Sequence, residues 1–128
     1  MEPSQIVLYS IIAIVAFIYL RKFIMSKSLK HYTPAELSGL LQQHSDIILL
    51  DVRTKSEHQQ NHIKGSLHIP LNELSNRLKE LERYKQQEIV CYCLSGSRSL
   101  VAAAKLQHQG FNTANLRGGM AEWNFHHR

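Results

Sequence analysis

Cys93 is followed by Leu94-Ser95-Gly96-Ser97-Arg98, a run of small residues bounded by a thiol and a guanidinium. Ile89 to Cys93 reads as a buried strand, and Ser97 to Gln109 as an alanine-rich helix that Gly110 can end. Ligands commonly bind at the carboxyl ends of strands in open α/β sheets. A loop of small residues entering a helix N-terminus aims several backbone N–H groups at one spot and so forms an anion cradle. A cysteine at its lip, with Arg98 nearby, has its thiolate favoured and its nucleophilicity at neutral pH raised. The chemistry this suggests is nucleophilic attack on an anionic substrate. The same local pattern also fits a buried structural cysteine followed by an ordinary turn, and both readings stay open at this level.

Cys91 is the only other cysteine. Residues two apart on a strand point the same way with Cα atoms about 6.5 to 7 Å apart, at or beyond the disulfide limit. Cys91 therefore reads as a packed core thiol, and two free thiols suit a reducing compartment. The eight histidines lack cysteine or carboxylate partners at ligand spacing, so neither a metal site nor a cofactor is expected.

The elements that position this loop follow from hydrophobic pattern. Thr33-Pro34-Ala35-Glu36 reads as a helix start, with Thr33 as N-cap, Pro34 at the first helical position and Glu36 closing a capping box. Leu37, Leu40 and Leu41 give that helix an apolar stripe. Ile47 to Val52 is nearly continuously apolar and predicts a strand buried on both faces, as in parallel sheets. Leu67 to Ile69 is a second short strand ending at Pro70, and Leu71, Leu74, Leu78 and Leu81 predict one helix face. Thr113 to Leu116 reads as a strand, and Gly118-Gly119 precede a short helix around Trp123. The alternation predicts an α/β fold with a mainly parallel sheet.

The first 30 residues are of another kind. Ile6 to Leu20 carries no charge and no polar face, and the stretch from Ser4 to Ile24 reaches about 30 Å if the stems of Arg21 and Lys22 snorkel, enough for one membrane span. A cleaved signal peptide is disfavoured, because Glu2 precedes the run and Arg21-Lys22 occupies the place of a small-residue cleavage motif. Residues 1–30 are thus expected to form a transmembrane anchor with a basic linker over Ser26 to His31, and residues 31–128 the one soluble domain. Four cations follow the span, which predicts a single pass of the cell inner membrane with the domain in the cytoplasm. The net charge of +5 falls to +2 in the domain, eleven cations against nine anions. Scattered charge of that size gives no reason to expect nucleic acid as a partner. A chain of 128 residues divided this way also excludes a multidomain enzyme, a repeat array and a polytopic transporter.

Three separated motifs resemble one family. Asp51-Val52-Arg53, Glu57 and His62-Ile63-Lys64-Gly65-Ser66-Leu67-His68-Ile69-Pro70 resemble the N-terminal signature of rhodanese domains; Cys93 to Arg98 resembles their active-site loop. Gly110-Phe111, Leu116-Arg117-Gly118-Gly119-Met120 and Trp123 resemble their C-terminal signature, so the likeness covers nearly the whole domain. It resembles the single-domain, membrane-anchored sulfurtransferases. The resemblance implies a rhodanese-like α/β fold in which Cys93 takes sulfane sulfur from a small anionic donor such as thiosulfate and holds it as a persulfide. A thiol or cyanide acceptor, or a partner protein, then receives it. The amides of residues 94–98 would hold the persulfide, and Arg98 would bind the donor's oxygens or stabilise the loop. Asp51 and Arg53 match a conserved pair near the site, read either as supporting the loop or as a purely structural ion pair. A persulfide-carrying or protein-binding module with little turnover is the alternative reading.

Four residues separate Cys93 from Arg98, as in sulfur-transferring rhodaneses, whereas the related cysteine phosphatases have five, so phosphate chemistry is disfavoured. Two positions depart from the pattern. His58 replaces an aromatic and is expected to cost packing, and Asn61 stands where glycine is common, its tolerance of left-handed backbone sparing the turn.

Overall fold

The computed structural model describes residues 1–27, 29–43 and 46–127, with the backbone alone for residue 22 and residues 24–27. The centre of the fold is a five-stranded, all-parallel sheet in the order β1-β5-β4-β2-β3, from β1 (Lys30–Tyr32), β2 (Ile48–Asp51), β3 (Leu67–His68), β4 (Glu88–Tyr92) and β5 (Asn112–Leu116). Helices α2 (Pro34–Gln42), α3 (Lys55–Gln60), α4 (Ser97–His108) and α5 (Gly119–His126) make the crossovers and the closing cover.

Side chains alternate across a strand, so a run apolar at every position fills two cores at once. Ile89, Cys91 and Cys93 pack with Ala102, Ala103 and Leu106 of α4 on one face. Val90 and Tyr92 pack with Leu37 of α2 and Met120 of α5 on the other. Deep burial of β4 on both faces fixes the height at which Cys93 leaves the sheet, one residue past the strand end.

Several elements differ from expectation for identifiable reasons. The leucines at 71 to 81 lie not on one α-helix but on two 3-10 segments, Leu71–Asn76 and Leu78–Tyr84, separated at Arg77. Leu71 and Leu74, then Leu78 and Leu81, recur at three residues, the period of a 3-10 turn, and Leu74 and Leu81 are fully buried. The linker expected over Ser26 to His31 ends sooner, since Lys30 and His31 belong to β1 and Leu29 is buried; Ser28 lies outside the described residues. Thr33 accepts the Glu36 N–H at 3.2 Å, but the Glu36 carboxylate meets the Thr33 hydroxyl, so only half of that capping box forms. The complete capping box sits at α3, where Thr54 and Glu57 satisfy each other's backbone N–H groups.

Helix α1 (Pro3–Lys27) is exposed through Arg21, and Pro3–Arg21 is apolar and long enough to cross a membrane, about 28 Å at 1.5 Å per residue. The snorkelling expected of Lys22 falls on a side chain outside the described residues.

Candidate active site

The loop after β4 curls around the Cys93 sulfur. Gly96 takes φ +106°, a left-handed conformation that glycine adopts without strain, and this turns its N–H onto Cys93 Sγ at 3.0 Å. Helix α4 begins at the next residue with no side-chain cap, so its N-terminal dipole opens toward the same sulfur. Burial works against the Cys93 thiolate, and hydrogen bonding from the N–H groups of Ser99, Gly96 and Ser95, with the Ser99 hydroxyl 3.4 Å from the sulfur, more than offsets it. The thiol is held below its ordinary value of 9.0. Cys91 has no such donors; burial pushes it up to about 12, and it stays a free, inert core thiol.

The loop is also held from behind. The first-turn N–H groups of α5 reach back to it, Met120 N–H donating to Cys93 O at 2.8 Å and Ala121 N–H to Leu94 O at 3.0 Å. Those carbonyls are turned toward α5, away from the sulfur. The Gly118-Gly119 pair makes this approach feasible: a Cβ at Gly119, where φ is +55°, would stand 2.4 Å from Cys93 O and 2.7 Å from Leu94 C.

Arg98 is engaged rather than free. Its guanidinium makes a bidentate pair with Glu57 at 2.8 and 3.0 Å, bringing together residues 41 apart in sequence. Glu57 is at the same time the capping residue of α3, and Arg98 beside it holds its carboxyl at about 2, below the ordinary 4.5. Sequence reasoning placed Glu57 in a signature but not in the site; the signal for its local role was the Thr54-x-x-Glu57 spacing, whereas its pairing with Arg98 exists only in the fold.

Asp51 and Arg53 form a buried ion pair at 2.8 Å. Burial opposes the Asp51 charge, but hydrogen bonds from the Arg53 side chain and backbone and from His58 lower its carboxyl overall. Arg53 also donates to Asn61 O, so the pair fastens both ends of α3, and the Arg53 guanidinium lies over the ring of Tyr92, the residue before Cys93. His58 costs no evident packing. Its Nδ1 meets Asp51 Oδ2 at 2.9 Å, and its ring stacks between those of His62 and His68 at 4.0 and 4.4 Å, an imidazole serving as the flat ring. Asn61 is extended at φ −167°, so no left-handed residue is needed there.

The acid response follows from these signs. Glu57 has a folded-state pKa depressed below its unfolded value, so its stabilisation is full above about pH 4.5 and is lost as pH falls through about 2. Asp51 acts in the same direction. Denaturant midpoints measured from pH 6 down to 2 are expected to fall over that window. Glu57→Gln is expected to start lower and fall less steeply.

Nothing among the described residues groups three histidine, cysteine or acidic side chains for a metal ion. The arrangement provides one nucleophilic sulfur, N–H donors able to stabilise an anion on or just beyond it, and at the rim the Arg98 cation paired with Glu57.

The chain is similar to several known proteins. A sulfurtransferase from Allochromatium vinosum is 38% identical over 91 residues, 70% of this chain and 83% of that one. A putative sulfurtransferase from Bacillus subtilis is 32% identical over 95 residues, 74% and 90% of the two chains. A putative sulfur carrier protein from Bacillus subtilis is 42% identical over 76 residues, 59% of this chain and 40% of that one. The crystal structure of a rhodanese-related protein from Thermoplasma volcanium superposes with a TM-score of 0.69 at 28% identity, covering 76% of this chain and 92% of that one. The rhodanese-like domain model matches residues 33–126, a span that takes in every strand but the first together with the whole cysteine loop. The chain belongs to the rhodanese-like domain family.

Proposed function

We propose that this protein is a membrane-anchored sulfurtransferase working through a Cys93 persulfide. The observation that carries the reading is the Gly96 N–H on Cys93 Sγ at 3.0 Å within a loop whose other N–H groups also favour the sulfur anion. In the first half-reaction the Cys93 thiolate attacks the sulfane sulfur of a donor such as thiosulfate. An Sγ–S bond forms, the donor's S–S bond breaks, and sulfite leaves with the electron pair. The terminal persulfide sulfur carries the negative charge into the amide cradle of residues 94–98. A thiolate or cyanide acceptor then attacks that sulfur, and the pair returns to Sγ.

Arg98 supplies positive charge to the donor's oxygens as it shares Glu57. Arg98→Ala is expected to lower kcat/KM for sulfite release from thiosulfate by about 10- to 100-fold, the scale of a hydrogen bond to a charged group. Loading of Cys93 from an uncharged organic polysulfide should fall much less. Equal losses with both donors would mean that Arg98 only braces the loop. Asp51 and Arg53 are positioning residues in this scheme, acting through α3.

A second reading, a sulfur carrier with little turnover of its own, is favoured by the similarity to the putative carrier from Bacillus subtilis. The two readings separate by whether the full chain releases sulfite catalytically or only once per Cys93.

Helix α1 is the proposed anchor, with the domain on the cytoplasmic side of the inner membrane. Cys93 is too buried to report topology, so the test places a cysteine at exposed Lys79 in the Cys93→Ser background. A membrane-impermeant maleimide should label Lys79→Cys in broken cells and miss it in intact ones; labelling of intact cells would reverse the orientation.

A further inference from the structure

A chain of polar side chains runs beneath the cysteine loop and out to the sheet edge. Cys93 Sγ lies 3.4 Å from Ser99 Oγ, Ser99 Oγ donates to Asn115 Oδ1 at 2.6 Å, and Asn115 Nδ2 meets His31 Nδ1 at 3.3 Å. Asn115 sits on β5 between His31 of β1 and Cys91 of β4, and both Ser99 and Asn115 are buried. A hydroxyl has one hydrogen. Ser99 therefore cannot donate to Asn115 and to the Cys93 thiolate together, and the 2.6 Å contact takes precedence over the 3.4 Å one. Burial leaves no solvent to supply a second donor.

We propose that Asn115 is a positioning residue for Cys93. By accepting the Ser99 hydrogen, it turns the Ser99 lone pairs toward the sulfur and leaves the thiolate to the backbone N–H groups and the neighbouring Arg98. His31 takes the amide's N–H at the sheet edge and so fixes which end of the amide faces Ser99. In the thiol form, the Ser99 oxygen accepts the Cys93 S–H. Sulfur held this way is more basic, hence a stronger nucleophile toward the donor and a poorer leaving group once it carries a second sulfur. In the discharge step the acceptor thiolate attacks the terminal sulfur, the bond to Sγ breaks, and Sγ takes the electron pair. A Ser99 hydrogen aimed at Sγ would ease that departure; Asn115 withholds it. The consequence is a persulfide that persists until an acceptor arrives.

This inference rests on Cys93 being the sulfur-handling thiol, but the ionisation measurement that decides it needs no sulfur donor. Failure of thiosulfate turnover would sink the proposed function and leave the ionisation result standing. The ultraviolet absorbance of the thiolate is followed against pH in the full chain in detergent micelles, with the matching Cys93→Ser background subtracted. Cys91 does not interfere, because it ionises only near 12. Asn115→Leu frees the Ser99 hydrogen to turn onto the sulfur, and the Cys93 midpoint is expected to fall by about one pH unit, the size of a buried hydrogen bond to a charged group. Ser99→Ala alone should leave the midpoint unchanged or slightly lower, and adding it to Asn115→Leu should cancel the fall. The persulfide of Asn115→Leu should discharge to a small thiol about threefold faster, as expected of a leaving group one unit less basic. A rise of about one unit in Ser99→Ala, or an unchanged midpoint in folded Asn115→Leu, would overturn the proposal, because the hydrogen would then already lie on the sulfur. Ser99→Ala decides by itself if Asn115→Leu does not fold.

Discussion

Cys93→Ser is expected to remove at least about three orders of magnitude of sulfur-transfer rate while the domain stays folded. A serine hydroxyl at neutral pH has almost no anion to offer, and its oxygen cannot form the disulfide-like bond in which the transferred sulfur is held. The loop should survive the change, since the Gly96 N–H that meets Cys93 Sγ can meet an oxygen instead, and the carbonyls of Cys93 and Leu94 remain tied to α5. The check is sulfite release together with a denaturant midpoint: lost turnover with a nearly unchanged midpoint isolates the nucleophile. Lost turnover with a lost fold would leave the role of the sulfur unproven and require Cys93→Ala.

The second large effect is structural. Gly119→Ala is expected to destabilise the domain by about 3 kcal/mol or more and to displace the cysteine loop as it does so. A left-handed backbone conformation costs a non-glycine residue about 1 kcal/mol by itself. At Gly119 the new methyl would also press on Cys93 O at 2.4 Å and on the Leu94 carbonyl group at 2.7 Å, backbone atoms that α5 holds by hydrogen bonds and that have no rotamer to change. Gly65→Ala is the control. Its φ is +83°, but a Cβ there meets nothing within 4 Å, so only the conformational cost should register. Urea midpoints of the two variants should therefore separate clearly, with Gly119→Ala also losing sulfite release in whatever fraction remains folded. Equal midpoints would mean that α5 can back away from the loop.

The residues of the proposed site were the most legible part of the sequence. A buried strand, a small-residue turn and a capped-off helix are local patterns, and Cys93 to Arg98 lies where they predict. What resisted reading was decided by tertiary contact. Strand β1 is three residues long and its Lys30 and His31 are exposed, so no periodicity announces it; pairing with β5 makes it a strand. The leucines at 71 to 81 carried their answer in a spacing of three, which a helical template absorbs too easily. Glu57 illustrates both cases: its capping of α3 was there to be read three residues after Thr54, while its grip on Arg98 required the sheet to bring two distant crossovers together. Ser99, Asn115 and His31 come from α4, β5 and β1, and no motif connects them before the chain is folded.

The proposed mechanism has Cys93 itself carry the sulfur in transit. It is tested most directly by the intact mass of the full chain after brief exposure to thiosulfate and removal of excess donor, with peptide mapping to place any gain. The expected result is one added sulfur atom, located on Cys93, absent from Cys93→Ser and discharged on adding a thiol. No gain in mass under conditions where sulfite is released, or a gain located on Cys91, would contradict it.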